Sequence, residues 1–121
     1  CDLRVASTAA AFGHPEIKFG APPLFTPLRW IIGDGVARDL CLTGRRIDAA
    51  EAQRIGLVSR VVEPDRLDDE AATVARAIAE APPAALEATK RYMTAGFDEP
   101  FRAEHDDVFD RLLTGASGPR A

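Results

Sequence analysis

Two cysteines, two histidines, one tryptophan, one tyrosine and one methionine in 121 residues leave little room for several kinds of chemistry. Cys1 and Cys41 are too few for a disulfide scaffold or a zinc site, and they fit a reducing, cytoplasmic setting. No apolar run is long enough to span a bilayer, and none reads as a secretion signal. No basic block is present either. With 15 Lys and Arg against 19 Asp and Glu the net charge is −4, which argues against nucleic acid as a partner. There is no internal repeat and no low-complexity tract beyond alanine enrichment. What remains is 46% hydrophobic and 28% charged, the balance of one small globular domain with a core.

The densest pattern is Phe12-Gly13-His14-Pro15-Glu16-Ile17-Lys18-Phe19-Gly20. It sets one carboxylate after a proline, in an apolar run, between two glycines that allow tight backbone. Ile17 and Phe19 alternate with Glu16 and Lys18, which is strand spacing. A carboxylate fixed in this way suits general acid/base work, and it equally suits a solvated strand end. His14, two residues earlier, would share its face in a strand; a hydrogen-bonding or surface role explains it as well as a dyad does. His105 lies among Glu104, Asp106 and Asp107, where a polar helix face accounts for it better than a metal site.

Farther on, Asp48 can cap a short helix whose third residue is Glu51, with Gly56 as a left-handed stop and a strand over residues 57–62. Before it, Phe25, Leu28, Ile31 and Ile32 show helical spacing ended by Gly33. A second helix from Asp34 or Gly35 turns Val36, Leu40 and Cys41 inward and stops at Gly44. Glu63-Pro64-Asp65 starts a helix with the stripe Leu67, Ala71, Val74, Ala75 and Ile78. After Pro82-Pro83, Leu86, Tyr92 and Met93 mark another helix, ended near Gly96. Phe101, Val108, Phe109 and Leu112 mark the last, with Gly115 behind it. Strands thus gather in the first half and helices in the second.

In this order, the opening Cys1-Asp2-Leu3-Arg4-Val5-Ala6-Ser7, the Pro15-Glu16-Ile17 turn, Leu42-Thr43-Gly44, Ala49-Ala50-Glu51-Ala52, Gly56-Leu57-Val58 and the helix from Pro83-Ala84-Ala85 to Lys90 resemble the enoyl-CoA hydratase/isomerase (crotonase) superfamily. The resemblance runs from residue 1 to about 113. It implies an α/β fold: residues 1–64 as the C-terminal part of a spiral of ββα units, and residues 65–121 as a helical subdomain that builds trimers, often paired into hexamers. It implies an acyl-CoA thioester as substrate and no metal or redox cofactor. Glu16 matches one of the two glutamates that move protons to and from water on a 2-enoyl-CoA in the hydratases. In related isomerases the same position shuttles a proton along the acyl chain, and a non-catalytic acyl-CoA-binding subunit is a third reading.

The resemblance also places the partner glutamate, the oxyanion-hole N–H donors and most of the CoA surface before Cys1. A chain that starts without Met, inside a strand, is therefore expected to be a fragment and to be inactive alone. The departure from the family lies in Pro22-Pro23-Leu24-Phe25-Thr26-Pro27. Typical hydratases have a glycine-rich turn here; this chain has no glycine between Gly20 and Gly33. Pro23, Leu24 and Phe25 are the expected wall of the acyl pocket, and they suit a core role as well. Relatives acting on branched acyl groups, such as the methylglutaconyl-CoA type, also replace the glycine turn and keep a Ser-Pro pair similar to Thr26-Pro27. Arg45, Arg46, Lys90 and Arg91 fit surface charges and helix-end partners better than phosphate ligands.

Overall fold

The computed structural model describes residues 1–114, the side chain of Leu112 excepted; Gly115, expected behind the last helix, lies outside the described residues. The chain is mixed α/β, as expected, and it divides into two compact units, residues 1–12 with 47–96 and residues 13–46 with 97–121.

The first unit is built on a parallel strand pair. β1 (Val5–Ser7) lies beside β4 (Arg60–Val62), with Ala6 opposite Val61. Arg4 reinforces the start of this pair: its carbonyl accepts from both the N–H and the hydroxyl of Ser59, at 2.9 Å each. The strand expected over residues 57–62 is shorter, because Leu57 and Val58 both turn their N–H groups back to the Ala52 carbonyl. That turn follows α3 (Ala49–Arg54), where the Asp48 carboxylate accepts the Glu51 N–H at 2.8 Å. Gly56 follows at φ 81°, a left-handed conformation that a side chain disfavours. β2 (Ala11–Gly13) and β3 (Arg46–Asp48) form a second two-stranded pair.

A 3-10 turn at Pro64–Arg66 leads into α4 (Leu67–Ala79), and Pro83 opens α5 (Pro83–Thr94). The apolar stripe of α4 is present in the sequence but largely uncovered. Leu67 and Val74 are half-buried, whereas Ala71, Ala75 and Ile78 are exposed. On α5, Leu86, Tyr92 and Met93 are exposed too.

The second unit packs α1 (Phe25–Ile32) against α2 (Asp34–Thr43) and against α6 (Asp98–Thr114). Gly33, at φ 85°, divides α1 from α2 as its position suggests. Leu28, Ile32, Ala37, Leu40, Cys41 and Val108 are its buried apolar side chains; Val36, expected inward, is half-buried.

Candidate active site

Glu16 sits in a single 3-10 turn, Pro15–Phe19, and not in the strand that alternation suggests. Two residues override that alternation. Pro15 takes the first helical position, where its fixed φ and missing N–H fit. Gly20 closes the turn in the left-handed region at φ 82°, and its N–H and that of Ala21 reach back to the carbonyls of Ile17 and Glu16. The alternating apolar residues do not bury the turn: Ile17 and Phe19 are 38% and 82% exposed.

The turn brings His14 and Glu16 together. His14 Nδ1 lies 3.5 Å from Glu16 Oε2. Both atoms are shielded from solvent, and neither makes a hydrogen bond with another described residue. The Glu16 side chain as a whole is 46% exposed, although its Oε2 is shielded. A carboxylate in such a place suits general acid/base work.

α2 supports the turn from below. Gly44 ends α2 at φ 59°, and a Cβ on it would stand 3.2 Å from the His14 carbonyl oxygen. One turn earlier Cys41 is buried. Its burial pushes the thiol up from its ordinary range, and the negative charges of Glu104 and Glu16 push it further.

Pro23, Leu24 and Phe25 are half-buried just before and at the start of α1. The Arg38 guanidinium carbon lies 5.6 Å from the centre of the Phe25 ring. These residues and Glu16 share one compact unit. An open groove of about 430 Å³ in that unit is lined by Thr26, Arg29, Trp30 and Pro100, so Glu16 and residues 23–25 lie outside it.

Glu104, on α6, carries no site signature in the sequence. Its carboxylate accepts the N–H of Thr26 at 2.8 and 3.1 Å, and that of Phe25 as well. The one available signal is an absence: Leu24 stands where a helix wants Ser, Thr, Asp or Asn. His105 is held in an aromatic row, stacked on Phe109 with ring centres 4.4 Å apart and tilted against Phe101 at 5.7 Å. Among the described residues no group of three or more His, Cys, Asp or Glu could hold a metal ion, and no helix is long and apolar enough to cross a membrane. Arg45 pairs with Asp39, Lys90 with Asp2 and Arg91 with Glu87, the surface role expected of them.

Residues 1–112 match the family described as enoyl-CoA hydratase/isomerase. The chain is 42% identical over 118 residues to an (E)-benzylidenesuccinyl-CoA hydratase of Thauera aromatica, covering 95% of this chain and 45% of that protein. It is 40% identical over 99 residues to a short-chain-enoyl-CoA hydratase of Clostridium acetobutylicum, covering 79% and 38%. Its fold is similar to that of an enoyl-CoA hydratase from Bacillus anthracis, with a TM-score of 0.76 and 31% identity over 94% of this chain and 46% of that one. The chain therefore spans less than half the length of these relatives.

Proposed function

The chain belongs to the enoyl-CoA hydratase/isomerase family, and from that premise we propose that it is the C-terminal part of an enzyme that adds water to a 2-enoyl-CoA thioester, with Glu16 as general acid/base. The observation that carries this reading is the state of the Glu16 carboxylate: one oxygen screened beside His14, without a hydrogen bond among the described residues, on a side chain that still reaches solvent. Hydration needs a group that takes a proton from water and returns one to carbon, and a half-screened carboxylate on a rigid turn is able to do both.

In this reading residues 1–64 finish the α/β core and residues 65–121 form the helical region that assembles trimers or hexamers. The uncovered stripe on α4, with Ala71, Ala75 and Ile78 exposed, supports a partner for that region. Pro23, Leu24 and Phe25 wall the acyl group, without the glycine turn. The N–H donors for the thioester enolate belong to the preceding half of the enzyme, so the 121-residue chain alone has no appreciable turnover; losing even one such donor costs about 10²–10³-fold. The free thiols of Cys1 and Cys41 accord with a reducing, cytoplasmic setting.

The test is turnover of paired 2-enoyl-CoA and 3-enoyl-CoA substrates by the full-length protein and its Glu16→Gln variant. Loss of about 10²–10⁴-fold in kcat is expected, the range of a general acid/base group. Preference for the 2-enoyl substrate supports hydration, and preference for the 3-enoyl substrate supports double-bond isomerisation. An unchanged kcat in the variant would make Glu16 structural, and no turnover in either protein would favour a non-catalytic acyl-CoA-binding role.

A further inference from the structure

The start of α1 has no cap of its own. Leu24 occupies the cap position with no acceptor on its side chain. Of the first three helical residues, Pro27 has no N–H, so Phe25 and Thr26 hold the donors that the helix start leaves unpaired. Both go to one carboxylate, that of Glu104, seventy-eight residues downstream of Thr26. A negative charge at a helix N-terminus is also favoured by the helix dipole.

A cap brought in from another helix differs from a local one. Asp48 fixes only the turn it belongs to. Glu104 fixes where α1 begins with respect to α6, and the peptide groups it holds are those of the Leu24-Phe25 segment. The Phe25 ring itself lies against Arg38 of α2, whose guanidinium carbon is 5.6 Å from the ring centre. Glu104 lies in the same compact unit as Glu16 and the buried Cys41.

We infer that Glu104 is a positioning residue that sets the acyl-group preference of the site, by clamping the Phe25 and Thr26 backbone and with it the Leu24–Phe25 wall. This rests on the reading of residues 23–25 as the acyl wall. The physical reason is restriction of motion: a wall on an uncapped helix end frays, and a frayed wall discriminates poorly between slim and bulky acyl groups. Discrimination in an apolar pocket depends on small volume differences, which a loose boundary cannot maintain.

The experiment measures dissociation constants of the full-length protein for two unreactive thioesters, butyryl-CoA and 3-phenylpropionyl-CoA, beside turnover of the enoyl-CoA pair. Glu104→Ala is expected to change the ratio of the two constants about tenfold, the lower end of what one methylene in an apolar pocket achieves. Glu104→Gln, which keeps one acceptor oxygen, is expected to change it by a smaller factor, and it carries the comparison if the alanine variant does not fold. Val108→Ala serves as the control. Val108 is buried on the same helix, so its loss lowers stability without touching the cap. An unchanged ratio in both Glu104 variants, or an equal change in Val108→Ala, would reduce Glu104 to a structural cap and overturn the inference. A shifted ratio in a protein with no enoyl-CoA turnover would uphold the clamp while refuting the hydratase reading. Failure of the unaltered protein to bind either thioester would overturn both.

Discussion

A Cβ placed on Gly44 would stand 2.9 Å from Ile17 Cγ2, so the end of α2 and the turn carrying Glu16 meet with no space for a side chain. The same atom would approach Lys18 Cε at 3.0 Å and the His14 carbonyl oxygen at 3.2 Å. The long side chains can swing away; the carbonyl can move only with the turn itself. Gly20 offers the contrast, since it has a comparable positive φ of 82° but nothing within 4 Å of its would-be Cβ.

Gly20→Ala should therefore lose only the left-handed backbone preference, about 1–2 kcal/mol. Gly44→Ala should lose that and roughly 1–3 kcal/mol more from crowding. Urea denaturation of the two variants measures the difference. Equal midpoints would mean that the Glu16 turn does not rest on Gly44.

Asp48→Ala removes the acceptor for the Glu51 N–H and should lower stability by about 1 kcal/mol, whereas Asp48→Asn should stay within a few tenths of the unaltered protein. The check is again the urea midpoint. If the asparagine variant falls as far as the alanine variant, Asp48 acts through charge and not as a cap acceptor.

Cys41 sets an alkaline limit. Its thiol is held above the ordinary range by burial first, then by Glu104 and Glu16. Once pH rises past the unfolded thiol value, about 8.5, the unfolded chain releases a proton that the folded chain keeps. The folded state then binds more protons, so stability falls with rising pH. In Cys41→Ala that share of the decline should vanish. Stability measured across the alkaline range decides the matter; parallel curves for the two proteins would rule out Cys41 as its source. In thiol labelling the exposed Cys1 should react well before Cys41.

Features with short-range causes are legible in the sequence. Asp48, Glu51 and Gly56 specify the ends of α3 among themselves, and Gly33 and Gly44 mark the ends of α1 and α2 where their positions suggest. The Glu16 segment is legible as a turn flanked by glycines but not as a 3-10 turn. Its two alternations satisfy strand spacing, yet a proline in the first position and a left-handed glycine in the last decide for a helical turn. The stripe on α4 is legible as apolar, though which surface it meets depends on contacts that no periodicity encodes. Glu104 is hidden for the same reason. Nothing near residue 104 indicates that its acceptors are needed at residue 25; only the unsuited Leu24 at a helix start hints at a distant cap acceptor.

That long-range cap has a consequence for how the chain assembles. Phe25 and Glu104 are 79 positions apart. A ribosome adding about 5–20 residues per second extends the chain from one to the other in roughly 4–16 s. Through that interval α1, an eight-residue helix, is shorter than the ~12–15 residues an isolated helix needs to persist in water. The segment that begins at Leu24 is thus made early and set late. Its final shape is conferred by a helix made well after it, and until then the nascent chain carries Leu24 and Phe25 uncovered, where a chaperone that recognises short apolar stretches would find them.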